Sequence, residues 1–100
     1  MKKMNQDIFN TSSVFESKIR IQMLASLLVN SLNYNQLKQI CNCSDGLMTT
    51  HTRKLIEEEF IIKKKNLKGQ KKLTTYYITE KGKKEFINYI NLLQSLIEGE

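Results

Sequence analysis

The sequence predicts one mainly α-helical domain carrying a small β-hairpin. Three observations predict it. Apolar residues recur at helical spacing over residues 13–29 and again over about 80–97. Between these stretches, asparagines and serines mark a short helix, a sharp turn and a second helix. A lysine-rich segment around Gly69 is flanked by Phe60-Ile61-Ile62 and by the alternating run Leu73 to Ile78, which reads as two strands and a turn.

Residues 1–12 are polar and are expected to form a flexible arm, with Ile8 and Phe9 as candidates to dock. The domain proper is expected over 13–98. Ser13-Val14-Phe15-Glu16 fits a capping box, in which a hydroxyl caps the backbone and a Glu three residues on reaches back. It opens a helix to about residue 29 with two apolar stripes. One is Phe15, Ile19, Met23 and Leu27, and the other Ile21, Leu24, Ala25 and Leu28. Asn30-Ser31-Leu32-Asn33 is turn chemistry. Asn35 is the expected cap of a short helix from Gln36 to about Cys41, with Leu37 and Ile40 inward. Asn42 tolerates the left-handed backbone that a sharp turn requires. Ser44 caps the next helix, about 44–58, and Asp45 suits its positive end.

Phe60 then begins a strand, Lys64 to Lys72 form the hairpin tip, and Leu73 to Ile78 return. Thr79 caps the last helix. Its apolar side chains, Phe86, Ile87, Tyr89, Ile90, Leu92, Leu93, Leu96 and Ile97, cover an arc of roughly 220° at about 100° per residue. A domain of this size does not bury so wide an arc alone. A second subunit is the simplest cover.

One hundred residues make one domain. The net charge is +6 and its placement is uneven. Residues 1–60 hold seven Lys/Arg and six Asp/Glu, whereas residues 61–100 hold nine lysines and four glutamates. The excess therefore lies in the hairpin and beyond it, which reads either as a surface for a polyanionic partner or as a solvated lysine face. No apolar run is long enough to span a membrane, and MKKMNQDIFN lacks the apolar core of a secretory signal. The expectation is a cytoplasmic protein with no membrane contact. Cys41 and Cys43 are too close in sequence for an ordinary disulfide. No cofactor is expected. His51 is the only histidine and has no evident acid–base or nucleophile partner, so no enzyme is expected either.

The order of elements resembles the winged helix-turn-helix regulators of the MarR/ArsR-like bacterial and archaeal families, over about residues 15–90. The residues that carry the likeness are Leu37-Lys38-Gln39-Ile40, Ser44-Asp45-Gly46, Thr49-Thr50-His51 and Lys54 to Ile61. To these is added Thr74-Thr75-Tyr76-Tyr77-Ile78-Thr79-Glu80-Lys81-Gly82, which is similar to the family's Thr-x-Tyr-x-Leu-Thr-x-x-Gly signature. The family usually has Gly where Glu59 stands and Leu where Thr52 stands. Glu59 predicts a helix end that departs from the family's left-handed cap, and Thr52 a less firmly packed helix.

The resemblance implies a recognition helix whose Leu47, Thr49, Thr50, Arg53 and Lys54 face DNA, with Ser44 and His51 completing the set. Arg53 suits a guanine edge or a phosphate, and the threonines a phosphate or a thymine methyl. The alternative is a solvated helix face. In the hairpin, the expected phosphate contacts are Lys64, Lys65, Lys68, Lys71 and Lys72, with Lys63 in the same basic run. The terminal helices are expected to build a homodimer through Phe15, Ile19, Tyr89, Leu92, Leu93, Leu96 and Ile97. Cys41 and Cys43 match buried apolar positions and read as core, so no metal site is expected. A thiolate metal or redox site there is the alternative. The expected function is a homodimeric, sequence-specific double-stranded DNA-binding regulator of transcription, a repressor, on a pseudo-palindromic operator. Its effector ligand is unidentified. The competing reading is a winged-helix module for protein or RNA partners.

Overall fold

The computed structural model describes residues 10–99. The helix expected from Ser13 is broken into two pieces. Ser12 accepts a hydrogen bond from the Val14 amide and opens a 3-10 turn, Ser13–Glu16. Ser17 then caps α1 (Lys18–Val29) by accepting from the Arg20 amide. The proposed capping box does not form, and Arg20 supplies the reason. Its Nη2 donates to the Ser13 carbonyl at 3.0 Å and its Nε to the Val14 carbonyl at 2.9 Å. A continuous helix would have given those carbonyls to the amides of residues 17 and 18. The break lets two adjacent residues, Val14 and Phe15, both enter the core. Of the arm expected over 1–12, residues 1–9, including Ile8 and Phe9, lie outside the described residues. Ser12 belongs to the fold through its cap.

The stretch expected to be a turn at 30–33 is extended instead. Leu32 and Asn33 form β1 and pair with Tyr76 and Thr75. Asn33, not Asn35, caps α2 (Tyr34–Cys41), in a complete capping box. Its Oδ1 accepts from the Gln36 amide and its own amide donates to Gln36 Oε1, both at 2.9 Å. Asn42 adopts the left-handed conformation, φ 52° and ψ 47°, as its residue type predicts. Ser44 accepts from the Leu47 amide and opens α3 (Asp45–Glu57).

The end of α3 corrects an expectation. Glu59 holds φ 66°, so the left-handed cap is kept without glycine. The Glu59 amide donates to the Ile56 carbonyl and the Phe60 amide to the Leu55 carbonyl, each at 2.9 Å, which is a Schellman pair. Thr52 is 6% exposed, and its hydroxyl donates to the Met48 carbonyl at 2.7 Å. The polar atom is thus satisfied inside its own helix.

β2 (Ile61–Lys68) and β3 (Lys71–Ile78) are longer than expected and pair from Ile61↔Ile78 to Lys68↔Lys71, with Gly69 at φ 65° in the turn. The sheet order is β1-β3-β2, all antiparallel. α4 (Glu80–Ile97) is capped by Thr79, whose hydroxyl accepts from the Gly82 amide at 2.9 Å. Gly82 lies against the start of the hairpin so closely that a Cβ would sit 2.1 Å from the Phe60 carbonyl oxygen.

The core gathers Met23, Leu24, Leu37, Met48, Leu55 and Ile61 around an aromatic group. Phe15 stacks on Tyr89 with ring centroids 4.2 Å apart, and it also touches Phe60 and Phe86. No helix among the described residues is long and apolar enough to cross a membrane.

Candidate nucleic-acid interface

Helical spacing divides α3 into two faces. Met48, Thr52 and Leu55 go into the core. Leu47, Thr49, Thr50 and Arg53 are exposed, as is Ser44 at the cap. Leu47, at 41% exposure, is an apolar side chain held out on a polar face. Lys54 is half-buried, with Nζ 3.5 Å from Glu58 Oε2.

His51 is also half-buried, and its Nδ1 lies 3.1 Å from Arg20 Nη1. Burial, and then the Arg20 charge, hold its pKa below the usual histidine range. The guanidinium can only donate, so Nδ1 accepts and Nε2 carries the proton. Part of His51 therefore serves the contact between α3 and the start of α1.

The turn between α2 and α3 is closed by side chains. Asp45 Oδ1 accepts from Tyr34 Oη at 2.6 Å and meets Lys38 Nζ at 2.9 Å. The hydrogen bond to Asp45 is the main reason the Tyr34 hydroxyl is pushed up to about 12, and the same bond, then Lys38, pulls the Asp45 carboxyl down. Asp45 sits at the N-terminal end of α3, where a negative charge is favourable.

The strand period sorts the hairpin lysines. Lys63 and Lys65 point toward α3 and, with Arg53, line a pocket of about 380 Å³ between helix and hairpin. Lys64 lies on the other face, with Nζ 5.4 Å from the centre of the Tyr77 ring. Lys68, Lys71 and Lys72 are exposed around the Gly69 turn. Lys63 was only one of a run in the sequence. Its alternation with Lys64 singles it out once the strand is known to reach Lys68.

Cys41 and Cys43 are both buried, and Cys43 Sγ donates to the Cys41 carbonyl at 3.7 Å. Burial pushes the Cys41 thiol up to about 11 and raises that of Cys43 as well. Among the described residues no group of three or more His, Cys, Asp or Glu is placed to hold a metal ion.

The residues expected at a dimer interface are dispersed. Phe15, 7% exposed, lies inside this chain's core. Ile19, Tyr89, Leu92 and Leu96 are half-buried, while Leu93 and Ile97 are exposed. The exposed stripe of α4 also includes Ile87 and Ile90, which belong to the wide apolar arc of the sequence but are not among the residues named for the dimer.

An uncharacterized protein of Methanocaldococcus jannaschii is 39% identical over 79 residues, 77% of this chain and 85% of its own. A transcriptional regulator homologue from Pyrococcus horikoshii superposes with a TM-score of 0.88 at 19% identity, covering 97% of this chain and 96% of that one. A MarR-family regulator from Porphyromonas gingivalis superposes with a TM-score of 0.69 at 17% identity, covering 87% and 85%. At these identities the two structures speak to fold alone, and it is the one carried by MarR-family regulators. The sequence of residues 19–97 matches the family model of the winged helix DNA-binding domain, and the chain belongs to that family.

Proposed function

We propose that this protein is a homodimeric regulator of transcription, working in the cytoplasm, that binds double-stranded DNA sequence-specifically and represses by occupying a promoter. One observation carries the reading. The recognition helix holds Leu47, Thr49, Thr50 and Arg53 out toward solvent, beside a wing whose lysines form no ion pair among the described residues. Ser44, Lys54 and the Nε2 proton of His51 adjoin that face. The helix would enter the major groove. Lys64, Lys65, Lys68, Lys71 and Lys72 would neutralise phosphates beside it.

The apolar stripe of α4, Ile87, Ile90, Leu93 and Ile97, would meet the same stripe of a second copy, with Ile19, Tyr89, Leu92 and Leu96 at its border. Phe15 would act through the packing of Tyr89. Two recognition helices related by a two-fold axis call for a pseudo-palindrome with half-sites about one helical turn apart. The names borne by the structural relatives support a role in transcription.

Fluorescence anisotropy tests this with the DNA upstream of the protein's own gene and a random-sequence duplex, across a salt series. The expected result is tighter binding upstream and, for about eight phosphate contacts in a dimer, a log–log salt slope of roughly −7. Equal affinity for both duplexes would remove sequence specificity from the reading. Absence of binding to either at low salt would turn attention to protein or RNA partners.

A further inference from the structure

The pocket between α3 and the base of the wing has a distinctive lining. Arg53 enters from the helix, and Lys63 and Lys65 enter from β2. None of the three forms an ion pair among the described residues, whereas Lys38, Lys54, Lys81 and Lys83 each have a carboxylate within 4.0 Å. Glu57 is the one acid in the lining, so three cations and one carboxylate give a formal +2. Thr52 and Tyr76, both buried, lie at the pocket's inner side. Low-dielectric walls behind clustered cations focus the field on whatever occupies the space.

Duplex geometry says what would occupy it. A helix in the major groove and a wing over the adjacent minor groove straddle one sugar–phosphate strand. That strand would cross the gap between them, and the pocket lies between the same two elements.

We propose that this pocket is a phosphodiester subsite, in which Arg53, Lys63 and Lys65 together hold one backbone phosphate of the strand that separates the two grooves. The proposal rests on the double-stranded DNA reading above. It decides for phosphate between the two roles that Arg53 suits, a base edge or a phosphate, and it sets Lys63 beside Lys65 at one site. The planar guanidinium suits two phosphate oxygens at once, with the ammonium groups as flexible point charges on the other side. Thr49 and Thr74, also in the lining, offer hydroxyl donors. Glu57 works against the subsite, since its carboxylate repels the phosphate and holds affinity down for every sequence alike. A free phosphate or phosphorylated small molecule has the same chemistry, and the experiment separates the two sources.

The test uses the full chain and two labelled duplexes of equal length and different sequence, titrated by anisotropy at several salt concentrations. Circular dichroism checks each variant's fold. Arg53→Ala and the double variant Lys63→Ala/Lys65→Ala are expected to weaken both duplexes by a common factor, about tenfold or more near 0.1 M salt, and to flatten the salt slope by about 1 per lost contact. Glu57→Gln is expected to tighten both duplexes a few fold, an effect that misfolding does not produce.

A change in the ratio of the two affinities on Arg53→Ala would overturn the assignment, because it would mark a base reader. Unchanged affinity and slope in the lysine double variant would overturn it as well. Inorganic phosphate is expected to displace duplex no better than chloride of equal ionic strength. Submillimolar displacement by phosphate, lost in the lysine variant while that variant still binds duplex, would give the pocket to a free ligand instead. Failure of the unaltered protein to bind any duplex removes the DNA reading and the subsite with it. Unaltered binding with unresponsive variants removes the subsite alone.

Discussion

At the turn between α2 and α3, one carboxylate holds two partners, since Asp45 Oδ1 meets Tyr34 Oη at 2.6 Å and Lys38 Nζ at 2.9 Å. In the wing, six lysines from Lys63 to Lys72 form no ion pair among the described residues. The difference separates polar groups that shape the protein from polar groups held for something outside it. The turn's charges are matched internally and tie the start of α3 to α2. The wing's charges repel one another across a two-stranded ribbon, a cost that a polyanion removes.

Neutralising wing lysines should give the largest effect. Lys68→Ala/Lys71→Ala/Lys72→Ala is expected to lower duplex affinity by more than about a hundredfold near 0.1 M salt. Thermal stability should stay level or rise as the repulsion is relieved. A loss of stability of more than about 1 kcal/mol would mean that the lysines also serve the fold.

Gly82→Ala tests what holds the wing's base. A Cβ 2.1 Å from the Phe60 carbonyl oxygen cannot be relieved by a side-chain rotation, because the obstacle is backbone. Destabilisation of about 3 kcal/mol is expected in urea melts. A near-neutral result would mean that α4 and the wing separate easily.

Tyr34→Phe removes the uncharged partner of Asp45. About 1 kcal/mol of stability should be lost, with duplex affinity within about twofold, the reverse of the lysine variant's profile. A large loss of affinity would blur the division between turn and wing.

The smallest effect concerns pH. The fold lowers the pKa of His51, so the neutral ring is the form it favours. That contribution is complete above the usual histidine value of about 6.5 and is lost as pH falls through the lower folded value. His51→Asn keeps an acceptor for Arg20 and does not titrate in that range. Chemical melts at about pH 7 and pH 5 should therefore show a smaller acid-side loss in the variant. Identical pH dependence in both proteins would show that His51 contributes nothing to it.

Much of the helix-turn-helix was legible because its signals are local. Ser44, Asn42 and Thr79 each act on backbone within three residues, and each takes the expected role. Two of the misses have a non-local cause. The break before α1 depends on Arg20 reaching back to carbonyls six and seven residues away. β1 is two residues long, too short to show a period, and exists because β3 has an edge to offer. Asn33 reads as part of a turn in the sequence and Asn35 as the cap, whereas Asn33 is the cap. The Gln three residues after Asn33 is the local mark of a capping box, and it sets the cap at Asn33.

At the candidate site, the wing lysines and the outward face of α3 could be read from charge and helical spacing. Which lysines face the helix could not, because a loop was expected where β2 continues to Lys68 and imposes alternation. Glu59 shows the opposite case. Its residue type argues against a left-handed cap, and the two 2.9 Å bonds at the helix end hold it there regardless.

Asn33 belongs to two structures at once. Its backbone pairs with Thr75 on the central strand of the sheet, while its side chain closes the first turn of α2. The helix pair and the sheet therefore share this residue, which cannot rotate without losing one attachment or the other. α3 and the hairpin stand like the two jaws of a caliper, and the asparagine is one of the screws that hold its opening.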